Sequence, residues 1–302
     1  MPLCAHGGFE SYREAKLELF RRLPKYGFAV LNKEDGSAEI FVESTPAEVF
    51  RYSRSAIEAE GISHPAKVAF SPSGEVILEI DGVVMPSRLK GEFNAMNILA
   101  AAATAMASGV PLPAIAKAVT DFQGVAGRME YVQEAPFAVV VDYAHTPDAL
   151  ESVYQTLSSA NPKPETRNPK LICVFGAAGG GRDKWKRPEM GRMAGRFCQK
   201  IILTSEDPDD ENPLQIMEEI GRGFSSNPKS PRPRRGEAEG GQIPNYKKIE
   251  SRREAIRMAL QDAQPGDTVI ITGMGAQPWF VEKGKKIPWD DRQIVREELA
   301  KL

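Results

Sequence analysis

Four short polar segments each follow directly on an apolar run, and their residue types are those of ligand chemistry. Asp142-Tyr-Ala-His145-Thr-Pro-Asp148 comes after Val139-Val140-Val141 and sets a carboxylate and an imidazole ahead of a proline suited to a helix start. A carboxylate there suits a sugar diol; alternatively Thr146 or Asp148 caps the helix and His145 packs. Gly176-Ala-Ala-Gly-Gly-Gly181-Arg182-Asp183-Lys184 follows Leu171 to Phe175. Its glycines let backbone N–H groups approach an anion, or they form a flexible connection. In Thr204 to Glu211, after Ile201-Ile202-Leu203, every residue but Pro208 is an acid or a hydroxyl. Such a cluster holds an ammonium group or a metal, or solvates a helix end. Thr272-Gly273-Met-Gly275-Ala-Gln277 is a fourth turn, with glycines where a backbone comes close to something.

Apolar runs alternating with helical periodicity account for this placement. From Met129 onward the expected order is strand 138–141, helix 147–158, strand 171–175, helix 188–198, strand 200–204, helix 213–224, helix 252–263 and strand 268–272. Alternation of this kind indicates a mainly parallel sheet covered by helices, in which ligands bind beyond the carboxyl ends of the strands. The N-terminal part reads differently: helix 10–22, short strands 28–31, 38–42, 67–70 and 76–80, a helix 46–58 among them, and an almost wholly apolar helix 94–106. On that last helix Asn94 and Asn97 share a face, and two amides on an apolar helix either bond backbone or read a heterocycle such as adenine.

Length and glycine placement suggest two domains, 1–124 and 125–302, with a Pro-, Gly-, Ser- and Arg-rich surface insertion at 225–241. Lysine and arginine number 39 against 41 acids, a formal charge of -2, which gives no field for nucleic acid. No apolar stretch is long enough for membrane insertion, and a cytosolic location is expected, with Cys4, Cys173 and Cys198 as packed thiols.

Five spaced motifs, Phe93-Asn94-Ala-Met-Asn97, Gly127-Arg128-Met-Glu130, Asp142 to Asp148, Gly179 to Pro188 and Gly273-Met-Gly275, resemble those of the Mur ligase family. The resemblance is strongest to the branch that adds the third amino acid of the peptidoglycan stem. It implies an α/β fold: an incomplete central ATPase domain followed by a Rossmann-like C-terminal domain. It also implies an ATP- and Mg²⁺-dependent ligase, monomeric when complete and acting in cell shape and division. In such an enzyme a UDP-N-acetylmuramoyl dipeptide forms an acyl phosphate, which the amine of a diamino acid (lysine, ornithine or diaminopimelate) then opens. Carried across residue by residue, Asn94 and Asn97 lie near adenine, Arg128 near the phosphates or ribose, and Asp142 near the ribose hydroxyls, with His145 beside it. Lys16, within a segment similar to the family's carbamate-forming lysine, would ligate Mg²⁺ and is the catalytic expectation. Arg182 grips the incoming amino acid's carboxylate, and Glu206, Asp207, Asp209, Gly273 and Gln277 complete that pocket.

The sequence departs from the family pattern in ways that bear on activity. It contains no G-x-x-x-x-G-K-S/T loop. This implies a truncated form inactive by itself, or else a non-catalytic nucleotide or muropeptide binding module. A G-x-G-x-x-G dinucleotide fingerprint is missing too. Glu206-Asp207-Pro208-Asp209 aligns with an Asp-Asn-Pro-Arg pattern associated with diaminopimelate, and Gln277 falls where an acid is expected. Asp209 reverses the charge of the arginine in that pattern, which favours a side chain ending in an amine.

Overall fold

The computed structural model describes residues 8–59, 61–160, 169–225 and 245–302. The chain divides into two compact units, 1–123 and 124–302.

The first unit holds α1 (Phe9–Arg21), β1 (Phe28–Asn32), α2 (Ala38–Ser44), β2 (Glu48–Tyr52), β3 (Ala56–Ala59), β4 (Ile62–Phe70), β5 (Glu75–Ile80), β6 (Val83–Lys90), α3 (Glu92–Ala107) and α4 (Leu112–Asp121). Its six strands form one sheet in chain order; β1 and β2 are parallel and the rest antiparallel. In β5 Val76, Leu78 and Ile80 are fully buried while the residues between them are only partly covered, the alternation of a sheet with one face in a core. That face packs against Ala95, Leu99 and Ala103 of α3 and Ile115 of α4.

Two expectations for this unit are corrected. Residues 38–42, expected as a strand, lie in α2. The turn before it, where Asp35 Oδ1 accepts from the Ser37 amide at 2.7 Å, starts a helix, and Phe41 packs edge-on against Phe20 of α1, 4.8 Å between ring centres. Residues 46–58, expected as a helix, form β2 and β3. Val49, Phe50 and Tyr52 suit a strand, Phe50 registers with Val30 and meets the Phe28 ring edge-on at 6.0 Å, and the Ser53 hydroxyl closes the following turn onto Ala56. The strand β6 and the helix α4 went unanticipated.

The second unit holds β7 (Glu130–Gln133), β8 (Ala138–Val141), α5 (Pro147–Ala160), β9 (Leu171–Phe175), α6 (Lys186–Phe197), β10 (Lys200–Leu203), α7 (Pro213–Ser225), β11 (Asn245–Lys248), α8 (Arg252–Asp262), β12 (Thr268–Ile271), β13 (Trp279–Glu282), β14 (Lys285–Pro288) and α9 (Asp291–Leu299). The main sheet runs β11-β10-β9-β12-β8-β7, parallel except for β7, and β13 and β14 form a separate hairpin. All residues of β9 and β12 are buried, so these strands are covered on both faces. Ile172, Val174, Val269 and Ile271 pack with Ile256 and Leu260 of α8 and Val295 of α9. Helices α5, α6 and α7 pack in succession, α6 and α7 so closely that a Cβ on Gly191 or Gly223 would run into the other helix's backbone.

A further correction concerns the cysteines. Cys173 and Cys198, expected as thiols, are joined in a disulfide. The crossover through α6 brings the residue after that helix back over β9, with the two Cα atoms 6.1 Å apart, inside disulfide reach. A sequence separation of 25 residues gives no hint of this. Cys4, and all of the expected insertion except Ser225 at the end of α7, lie outside the described residues. Among the described residues, no helix is long and apolar enough to cross a membrane.

Candidate functional site

Parallel pairing aligns the carboxyl ends of four strands, since Ile271 registers with both Val141 and Val174, and Leu203 with Phe175. The residues that follow, Asp142, Gly176, Thr204 and Thr272, therefore open on one edge of the second unit's sheet.

Asp142 is 5% exposed, and both its oxygens accept backbone N–H groups: Oδ2 from Met129 at 2.8 Å and Oδ1 from Ala144 at 2.7 Å. Burial raises its pKa against those bonds and the charge of Arg128. The carboxylate thus ties the 127–129 turn to the strand end. Arg128, exposed, stacks over Tyr143 at 4.5 Å, and Tyr143 meets His145 edge-on at 4.9 Å. His145 Nδ1 lies 2.9 Å from the Tyr143 carbonyl, and burial lowers the imidazole's pKa. Thr146 Oγ1 accepts weakly from the Ala149 amide, so the capping role foreseen for it is present beside the half-buried rings and the exposed guanidinium.

The glycine-rich segment packs backbone against backbone. A Cβ at Gly176 would strike the Thr204 carbonyl and one at Gly179 the Pro208 carbonyl, so these glycines are required by close approach to the acidic segment. Beneath them Arg187 is fully buried, pairing with Glu211 at 3.0 Å and Glu219 at 2.7 Å and donating to the Ala178 carbonyl at 3.1 Å. Arg182 is exposed at the tip.

The acidic segment divides by task. Glu211 is consumed by Arg187 and Lys184. Asp207 accepts from the Val281 amide at 2.7 Å and from Gln277 Nε2 at 2.6 Å, while Asp209 accepts from the Gly284 amide at 2.8 Å. Both aspartates have left-handed backbone, with φ of 40° and 52°, and pin the β13–β14 hairpin. Glu206 differs. It is 5% exposed, its Oε2 is buried with no hydrogen-bond partner, and its carboxylate lies where a Cβ of Gly273 would be. Burial pushes it up to about 7, with the positive charges of Arg252 and Lys186 pulling the other way. Lys186, 8% exposed at the start of α6, donates to the His145 carbonyl at 3.1 Å, and burial lowers its pKa. A glycine-rich turn ending in the exposed Arg182 and a buried, incompletely satisfied carboxylate thus stand at one sheet edge with the Asp142–His145 loop.

Residues 3–105 match the Mur ligase middle domain and residues 127–275 the domain described as Mur ligase, glutamate ligase domain. The chain belongs to the Mur ligase family. Two relatives, both named UDP-N-acetylmuramoyl-L-alanyl-D-glutamate--2,6-diaminopimelate ligase, come from Chlorobium phaeobacteroides and Thermosynechococcus vestitus. The first is 34% identical, covering 98% of this chain and 56% of the relative; the second is 36% identical, covering 97% and 55%. A solved structure of a ligase with that same name is 30% identical, with a TM-score of 0.54 over 98% of this chain and 57% of the other. The chain spans about half the length of these Mur ligases.

The family-based assignments fall in both units. Arg128, Asp142, His145, Arg182, Glu206, Asp207, Asp209, Gly273 and Gln277 lie in the second; Lys16, Asn94 and Asn97 lie in the first. Asn94 is buried and donates to the Lys90 carbonyl at 2.9 Å, and the exposed Asn97 donates to Asn94 Oδ1 at 3.3 Å. Lys16 is exposed on α1 with its ammonium over Tyr12. Neighbouring acids of α1 are engaged by Arg13, Arg21 and Arg22, and no group of three His, Cys, Asp or Glu fit for a metal occurs among the described residues. The described residues around Lys16 therefore do not by themselves make a Mg²⁺ centre.

Sequence reading missed Lys186, Arg187, Arg252 and Asp291, all buried charges. One signal was available: Lys186 and Arg252 are cations at the first position of a helix, against the helix dipole.

Proposed function

We propose that this chain carries the nucleotide- and amino-acid-binding surfaces of an ATP-dependent ligase that adds a diamino acid to UDP-N-acetylmuramoyl-L-alanyl-D-glutamate during peptidoglycan synthesis. In that reaction the dipeptide carboxylate takes the γ-phosphoryl group, and the incoming amine displaces phosphate from the acyl phosphate. The observation that carries the reading is the contact of Glu206 with Gly273 at the same edge of the parallel sheet as the Asp142–His145 loop and the glycine turn that ends in Arg182. Arg182 is suited to hold the amino acid's carboxylate as a two-pronged donor. Arg128 stacked on Tyr143 offers a cation and a ring edge to the nucleotide.

Both named relatives act on 2,6-diaminopimelate. In this chain the segment that carries Glu206, Asp207 and Asp209 is acidic where an arginine is expected, which favours an amine-ended side chain such as lysine or ornithine over a second carboxylate. Calorimetric titration of the chain with lysine and meso-diaminopimelate tests the pocket: saturable binding with lysine the tighter is expected, and loss of binding in Arg182→Ala must accompany it. Binding of neither amino acid removes the reading.

With no G-x-x-x-x-G-K-S/T loop in these 302 residues, the chain alone is expected to release no phosphate from ATP when given dipeptide and amino acid. The same lack of a phosphate cradle favours a second reading, a non-catalytic nucleotide or muropeptide binding module. Substrate-dependent phosphate release by the purified chain would rule that reading out, together with the expectation of inactivity.

A further inference from the structure

Arg252 is the first residue of α8, directly after the cap in which Ser251 Oγ accepts from the Glu254 amide. A cation is electrostatically disfavoured at that end of a helix, yet Arg252 is only 3% exposed. Its guanidinium forms a two-pronged pair with the fully buried Asp291, Nε to Oδ1 at 2.9 Å and Nη2 to Oδ2 at 2.6 Å. Asp291 is itself fixed by the Trp289 indole N–H at 2.8 Å. The remaining donors reach two backbone carbonyls at the ends of two different strands: Nη2 to Thr272 at 2.8 Å and Nη1 to Ser205 at 3.3 Å.

Those carbonyls immediately precede Gly273 and Glu206, the pair whose backbone and carboxylate are in contact. One side chain thus sets the two turns that bring Glu206 against Gly273. Stability does not account for the arrangement, because an apolar pair of similar volume commonly does as well as a buried ion pair.

We infer that Arg252, oriented by Asp291, is a positioning residue for the amino-acid pocket, holding the 205–206 and 272–273 turns so that Glu206 presents its carboxylate to the ammonium of the incoming amino acid. The pocket's assignment rests on the function proposed above; the clamp itself rests on the four hydrogen bonds. The other charged groups acting on Glu206 are Lys186, Asp207 and Asp291.

The test compares the 302-residue chain with R252M/D291L and with R252K. The double variant removes both charges and so leaves none unpaired. It is expected to stay folded, to weaken lysine and meso-diaminopimelate binding at least ten-fold, and to move the NMR titration of the Glu206 carboxyl to higher pH. R252K keeps the charge but lacks the planar fork, so it should leave that titration nearly in place and still weaken binding at least ten-fold. A folded double variant that binds like wild type, with Glu206 titrating as before, overturns the inference. Should the double variant fail to fold, R252K decides, and unchanged affinity in it overturns the inference. Should wild type bind neither amino acid, the ligase reading fails. The Glu206 titration in the double variant then judges the clamp separately, an unmoved titration overturning it.

Discussion

Each unit is built on a six-stranded sheet, and the two sheets do different work. In the first, β2 to β6 form an antiparallel meander, so successive strand ends alternate between the two edges and the loops carry no common task. In the second, five parallel strands deliver all their carboxyl ends to one edge, where Asp142, Gly176, Thr204 and Thr272 begin the site loops. Burial follows the same division: β5 alternates covered and half-covered residues, whereas β9 is covered throughout. Parallel topology requires helical crossovers, and those crossovers bury the strands and gather the loops. Beyond the β1–α2–β2 crossover, the first unit forgoes both.

The comparison breaks most sharply at glycines. In the second unit Gly223 sits where α7 touches α6, and a Cβ there would collide with the Pro188 carbonyl and stand 2.7 Å from the Arg192 nitrogen. Both obstacles are backbone, so Gly223→Ala must push the helices apart and disturb the Arg187–Glu219 pair that spans them. A loss of roughly 3 kcal/mol, the upper end of overpacking, is expected in chemical denaturation. A loss below about 1 kcal/mol would mean that the helices slide freely.

Leu78 tests the other unit. It is fully buried among Val76, Ile80, Leu99 and Ile115, and Leu78→Ala should cost about 3 kcal/mol. If residues 125–302 fold independently, as we expect, differential scanning calorimetry should show only one of two transitions moving. Limited proteolysis of the variant should leave a resistant fragment beginning near residue 125. A single transition shifting as a whole would contradict independent folding.

Glu206 gives the parallel sheet a pH dependence opposite in sign to that of Glu75 in the meander, whose carboxyl the Ser71 and Ser73 hydroxyls hold down to about 2. The Glu206 carboxyl titrates at about 7 in the folded protein against an ordinary 4.5, so the folded state binds the proton more tightly. Its contribution to stability is complete below about pH 4.5 and fades as pH rises to about 7. Glu206→Gln should flatten that decline and leave the variant more stable than wild type at pH 8, by up to about 3 kcal/mol given 1.36 kcal/mol per pH unit. Urea melts from pH 4.5 to 8 measure it; parallel wild-type and variant profiles would place the carboxyl elsewhere on the pH scale.

What could be read from the sequence follows the same line between the units. Runs such as Leu171 to Phe175 and Thr268 to Ile271 announce strands covered on both faces, and the polar residues directly after them locate the site loops. In the first unit residues 38–42 and 46–58 were assigned to the wrong element, because short mixed segments suit either period and the decision lay in tertiary pairing: Phe41 on Phe20, Phe50 on Phe28. Long-range side-chain partners were beyond reach as well. Nothing near Arg252 in the sequence names Asp291, 39 residues away, or the two carbonyls it holds. The acidic segment could be seen as a cluster, but only the fold separates Glu206, with a bare oxygen, from Asp207 and Asp209, which hold a hairpin.

The mildest contrast is Gly82, in the turn between β5 and β6. Its φ of 78° is left-handed, yet an added Cβ would meet nothing within 4 Å. Gly82→Ala therefore bears only the conformational penalty of an L-residue there, about 1 kcal/mol, with no repacking. The preceding Asp81 already tolerates a φ of 48°, and its carboxylate is anchored to His64 at 2.6 Å, so the turn itself should persist. The matching change in the other unit, Gly273→Ala, combines a φ of 109° with a collision against the Glu206 carboxylate. Glycine in the meander serves the local turn, whereas glycine at the parallel edge makes room for a functional group. Equal losses of stability in the two variants, with amino-acid binding retained in Gly273→Ala, would erase that distinction.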